Sequence, residues 1–176
     1  MKRNNLDLYL KARDSIDTFD RLEWHSFTWL GKAIRLKTGD WSNHTGVVIR
    51  FHEYDAAGLF TIESLEGGVD PNRLSVRLSG FRGSVRLYRL KPEYHMLRKE
   101  LGEIALSMEG TKYDYGSLIK NLFGHVKMDK HRLFCSEFVK AVGVKAGLPH
   151  KNLIAPTPGH EMNMLGWWSQ RPIRIL

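Results

Sequence analysis

Apolar residues recur along this chain at two periods, close to two and close to 3.6, and the switches between them predict strands and helices in turn. Leu6-Asp7-Leu8-Tyr9-Leu10 alternates and predicts a short strand. Leu22, Ser26, Trp29, Leu30, Ala33 and Ile34 fall on one helical face, which predicts an amphipathic helix from Leu22 to Ile34. It should stop near Thr38-Gly39, with glycine supplying the left-handed residue that ends many helices. His44 to Phe51 is rich in β-branched residues and predicts a strand. A turn over 54–58 and a second strand from Leu59 to about Leu65 complete a hairpin.

Arg73 to Leu78 alternates again, with Leu74, Val76 and Leu78 on one side and Arg73, Ser75 and Arg77 on the other, so a strand is expected there. After a break over 79–83, Val85 to Leu90 predicts a further strand. Beyond Pro92, Leu97, Leu101, Ile104, Ala105 and Met108 keep helical spacing up to Gly110. A loop carrying Tyr113-Asp114-Tyr115-Gly116 leads to a helix that opens at Phe134-Cys135-Ser136-Glu137 and ends at Gly147, with Pro149 just beyond. The tail is irregular and holds Pro156, Pro158 and the pair Trp167-Trp168. Without repeats, low-complexity tracts or linkers, residues 1–176 read as one α+β domain.

Charge changes this picture more than composition does. The 27 lysines and arginines outnumber the 19 aspartates and glutamates, for a net charge of +8. Such an excess suits an anionic partner: nucleic acid, an anionic membrane or a cell-wall polymer. Nothing in it selects nucleic acid specifically, and it says nothing of oligomeric state. Arg73, Arg77, Arg82, Arg86 and Arg89 are expected as a solvated basic stripe, and Trp167-Trp168 as exposed aromatics suited to a membrane surface. No secretory signal is recognisable at Met1-Lys2-Arg3, and no run approaches the roughly 18 apolar residues of a spanning helix. The chain is expected in the cytoplasm as synthesised, with a phage-encoded origin or another export route equally compatible.

The single cysteine excludes an internal disulfide. A lone cysteine is usually a small buried apolar residue, but Cys135 falls at the expected start of a helix. There unpaired N–H groups and the helix dipole favour a thiolate and can hold an oxyanion. A nucleophilic cysteine needs a base. Among eight histidines, His44 stands out because it opens an apolar strand, with Gly46 leaving room beside it. Glu63, on the partner strand of the hairpin, is the candidate to orient the imidazole; Glu66 and His52 are rivals, because hairpin register is not fixed by the sequence. Tyr113 is a candidate oxyanion donor. The histidines lack a two-ligand helical spacing and one cysteine cannot build a cysteine-rich zinc site, so no metal and no cofactor are expected.

These residues resemble a known family. Asn43-His44-Thr45-Gly46-Val47-Val48 is similar to the "SHVGIV" motif, and Phe134-Cys135-Ser136-Glu137-Phe138-Val139 to "YCSELV", of the permuted NlpC-type, papain-like group that includes the YiiX and YaeF proteins. Thr61-Ile62-Glu63-Ser64 resembles its "VIEA" segment and Gly110-Thr-Lys-Tyr113-Asp114 its "GxxYD" loop, with matches from Ile34 to Pro158. The departures are Thr45 for valine, Phe138 for leucine and a long hairpin before Glu63. The resemblance implies a circularly permuted papain-like fold: an antiparallel sheet packed against helices, with the histidine strand preceding the cysteine helix and the catalytic cysteine at a helix N-terminus. It implies Cys135 as nucleophile, His44 as base, Glu63 as orienting residue and Tyr113 as active-site neighbour.

The expected activity is hydrolysis of an amide or peptide bond through a thioester, with peptidoglycan stem peptides as the family-level substrate. A lipid acyl hydrolase or acyltransferase is the second reading, because the lecithin:retinol acyltransferase group shares the permuted architecture. The third is a catalytically idle module that binds an anionic polymer.

Overall fold

In the computed structural model, which describes residues 6–51, 58–65, 68–110, 134–150 and 159–176, the run Val47-Val48-Ile49 shows how the layers are built. It lies in β2 (His44–Phe51), the strand predicted there. Val47 and Ile49 point into one apolar cluster and Val48 into another. A strand buried on both faces loses the apolar-polar alternation and reads as a continuous apolar run.

Among the described residues the sheet has six strands in the order β4-β3-β2-β1-β5-β6, all pairings antiparallel. The others are β1 (Arg21–Ser26), β3 (Gly58–Leu65), β4 (Gly68–Arg73), β5 (Gly83–Tyr88) and the short β6 (Ile173–Arg174). The hairpin of β2 and β3 is present as expected. On one face α4 (Arg98–Ser107) and α5 (Phe134–Lys145) cover the sheet, burying Leu101, Ala105, Phe138, Val139 and Val142 against Val47, Ile49 and Ile62. On the other face α1 (Asp7–Ala12) and α3 (Leu74–Gly80) bury Tyr9, Leu74 and Leu78 against Leu22, Trp24, Val48 and Leu59. Two further α-helices among the described residues are α2 (Trp29–Thr38) and α6 (His160–Met164).

Gly39, Gly110 and Gly147 all take positive φ, at 71°, 68° and 79°, so the glycine stops hold. Gly143 in α5 serves a different purpose: a methyl group there would overlap the Trp167 ring. Trp167 and Trp168 are buried, not exposed as the sequence suggested. Their indole N–H groups donate to Pro149 O at 2.6 Å and Phe19 O at 2.9 Å.

Three predicted elements change type. The strand expected over Leu6–Leu10 is helix α1, with Tyr9 and Ala12 inward and Leu8 and Leu10 outward. The helix expected from Leu22 is strand β1 up to Ser26, and only Trp29–Thr38 is helical, capped by Thr28 Oγ1, which accepts from Gly31 N at 3.2 Å. The strand expected over Arg73–Leu78 is helix α3, because Leu74 and Leu78 are also one helical turn apart. The basic stripe dissolves with it. Arg77 faces Glu63, Arg86 stacks 3.8 Å from the Trp41 ring, and Arg89 lies 3.4 Å from Asp20, leaving Arg73 and Arg82 exposed. Among the described residues no helix is long and apolar enough to cross a membrane.

Candidate active site

His44 is the first residue of β2, and the backbone before it is tied down. Trp24 of β1 pairs with His44, and Asn43 N donates to Trp24 O at 3.0 Å. The Asn43 side chain accepts from Ser26 N at 2.7 Å and from Arg35 Nη1 at 3.3 Å. The imidazole thus leaves a segment held from two sides. On the partner strand, Val47 pairs with Ile62, which puts Gly46 across from Glu63. A Cβ at position 46 would lie 2.8 Å from Glu63 Cγ and 2.9 Å from Ile62 O. Gly46 therefore makes room, as expected, but for the carboxylate side chain as it reaches toward the histidine.

That reach ends in a hydrogen bond, His44 Nε2 donating to Glu63 Oε2 at 2.7 Å. Glu63 has a second partner that sequence reasoning missed. Arg77 of α3 donates through Nε to Oε1 and through Nη2 to Oε2, each at 3.1 Å. Such a fork holds a carboxylate in one plane. Its guanidinium also stacks over Trp24, 4.6 Å from the ring centroid, and lies 5.5 Å from that of Phe81. The signal that could have found it is the spacing of Leu74 and Leu78: read as a helix, it brings Arg77 back over the sheet.

Burial alone would push the Glu63 carboxyl up, but the hydrogen bond and charge of His44 and then those of Arg77 outweigh it, and the carboxyl sits below its ordinary range. For His44, burial pulls the other way. Against it act first the charge and hydrogen bond of Cys135, then those of Glu63, and the imidazole is pushed up to about 10. With Nε2 engaged by Glu63, Nδ1 is the nitrogen left to face the sulfur.

Cys135 is buried and lies in α5. Its helix packs on the face opposite α3. His44, at the end of its strand, is bonded to Glu63 on the neighbouring strand, which Arg77 holds in turn, and Cys135 of α5 acts on the same imidazole. Two residues on, burial pushes Glu137 up to about 8 against the opposing charge of Lys140, and among the described residues Glu137 Oε2 has no hydrogen-bond partner. The structure thus joins His44 to Glu63 by a hydrogen bond, and Cys135 acts on the same imidazole. Tyr113, Glu66 and His52 lie outside the described residues.

The model of a protein family described as permuted papain-like amidase enzyme, YaeF/YiiX, C92 family, matches residues 25–155. No curated protein sequence matches the chain. Among solved structures, the metalloprotein yiiX from Escherichia coli O157:H7 is similar, with 22% identity and a TM-score of 0.55 over 74% of this chain and 66% of that one. The likeness is one of fold, and the chain spans just under two thirds of that protein's length. Among the described residues no three histidine, cysteine, aspartate or glutamate side chains are grouped to hold a metal ion.

Proposed function

The chain belongs to the YaeF/YiiX family of permuted papain-like amidases, and from that premise we propose that it is a cysteine amidase or peptidase with Cys135 as nucleophile, His44 as base and Glu63 as orienting group. The single observation that supports this reading is the His44 imidazole, hydrogen-bonded to the buried Glu63 carboxylate and raised by the charge and hydrogen bond of Cys135. That is the arrangement nucleophilic catalysis requires.

His44 takes up the proton of Cys135. The sulfur attacks the carbonyl carbon of the amide, forming a carbon–sulfur bond while the oxygen takes up negative charge. Backbone N–H groups at the start of α5 receive that charge, because the first turn of a helix has N–H groups without intrahelical partners. The Tyr113 hydroxyl is the proposed additional donor. As the carbon–nitrogen bond breaks, the leaving amine takes the proton from His44. Water, losing a proton to His44, then attacks the thioester and frees Cys135. Glu63 keeps Nε2 protonated throughout and leaves Nδ1 to exchange protons, and Arg77 holds Glu63 in place. The family description supplies the bond class; a peptide amide, including a peptidoglycan stem peptide, is the proposed substrate.

The test exploits the single thiol. Alkylation by iodoacetamide is followed across pH for the wild type and for His44→Ala. We expect the wild type to react at and below neutral pH, and the variant to react about tenfold more slowly there. A folded protein whose Cys135 is inert, or whose reactivity ignores residue 44, would instead support an idle binding module.

A further inference from the structure

Helix α2 is amphipathic in the unusual sense. Its inward face is made of Gly31 and Arg35. Gly31 approaches so closely that a Cβ there would lie 2.9 Å from Ser26 O and 3.2 Å from Asn43 Oδ1, and Arg35 Nη1 donates to Ser26 O at 2.6 Å. The large apolar residues point away: Trp29 is 80% exposed, Leu36 87%, Leu30 55%, and Phe27, just before the helix, 60%.

At about 100° per residue, Trp29, Ala33 and Leu36 lie within roughly 60° of one another on the outer face. Lys32 flanks that stripe on one side and the position of Lys37 on the other. Single exposed leucines are ordinary on a protein surface, whereas a contiguous stripe ending in a tryptophan marks contact with another phase or molecule. The charge pattern narrows what that is. From Trp24 to Gly39 there is no aspartate or glutamate, while Lys32 and Lys37 are basic and Arg35 is turned inward, in a chain of net charge +8. An apolar stripe with tryptophan and leucine, edged by lysines and free of acids, is what an interfacial helix presents to an anionic bilayer.

We infer that α2 docks this protein on an anionic lipid surface, with Trp29, Leu30 and Leu36 entering the headgroup boundary and Lys32 paired with lipid phosphates. The inference does not depend on the amidase reading. It would bring the bilayer close to the site, because Arg35 and Gly31 on the inner face of α2 contact Asn43, the neighbour of His44.

The test is co-sedimentation of the full chain with vesicles of equimolar phosphatidylcholine and phosphatidylserine, against phosphatidylcholine alone. Binding should require the anionic lipid and weaken as salt is added. Trp29→Ser combined with Leu36→Ser should lower partitioning about tenfold or more. Lys32→Gln alone should lower it roughly fivefold. These side chains are exposed, so both variants should melt like the wild type, and Lys32→Gln with the salt series stands as a second reading should the double variant fail to fold. Absence of binding to the anionic vesicles overturns the proposal, as does equal binding by the double variant. Concentration-dependent self-association in the wild type that the double variant lacks would also overturn it, by assigning the stripe to a second copy of the chain.

Discussion

Glu63 on β3 and Glu23 on β1 are both buried, and each lies 3.1 Å from an arginine guanidinium. Glu63 falls below its ordinary range, and Glu23, pushed first by burial, rises above it in spite of Arg21 and the Tyr88 hydroxyl that donates to it at 3.1 Å. The difference is in the donors. Glu63 receives the Arg77 fork and the His44 ring, three charge-assisted bonds shared between its two oxygens. Arg21 is divided among Glu23, the Asn163 side chain and the faces of Tyr88 and Trp168. One carboxylate is thereby kept charged beside the His44 imidazole, whereas the other is part of a structural network. Proximity to an arginine does not by itself decide which, because desolvation can exceed the attraction.

The comparison breaks most visibly at Arg77. Arg77→Met leaves Glu63 buried with His44 alone and should cost about 3 kcal/mol of unfolding free energy by denaturant titration, at the low end for a broken buried pair because Arg77 is 26% exposed. A cost under about 1 kcal/mol would mean that the fork does not hold Glu63.

Glu63→Gln keeps the shape and removes the charge. Alkylation of Cys135 at neutral pH should slow about tenfold, and stability should lose its acid dependence. The folded carboxyl lies below its unfolded value of 4.5, so its contribution is present above that pH and is lost as pH falls through the lower folded value. A variant that keeps the same acid limb would place the titration elsewhere.

The smallest effect is expected for Glu23→Gln. Its carboxyl is raised from 4.5, so its contribution is present below that pH and is lost as pH rises through the folded value, opposite in slope to Glu63. The variant should flatten that decline, cost about 1 kcal/mol and leave Cys135 alkylation unchanged. Slowed alkylation would show that the two networks communicate.

Legibility in the sequence followed burial. The β2–β3 hairpin could be read from its run of β-branched residues, and α4 and α5 from helical spacing closed by glycine. Glu63 was found for the same reason, as the carboxylate on the strand paired with His44. Leu74, Val76 and Leu78 fit both periods, and only the packing of α3 on the sheet decides for the helix. β1 was obscured because Arg21 and Glu23 are buried opposite Leu22 and Trp24, so neither face looks polar for the expected reason. Trp167-Trp168 and the Trp29–Leu36 stripe exchange the roles that hydropathy would give them, since Gly143 admits one tryptophan pair and Gly31 presses the polar side of α2 inward.

The close approach of Gly46 to Glu63 has a consequence for divergence. The acid is indexed to the histidine by ladder register, from Val47 with Ile62 to Phe51 with Gly58, and the connector between the strands takes no part in that count. Doubling the length of such a connector costs only about 0.6 kcal/mol in closure entropy. Insertions and deletions there can therefore accumulate with little penalty while the imidazole–carboxylate contact stays in step. Position 46 is the opposite case, a place where drift stops, because even one added carbon would displace the Glu63 side chain.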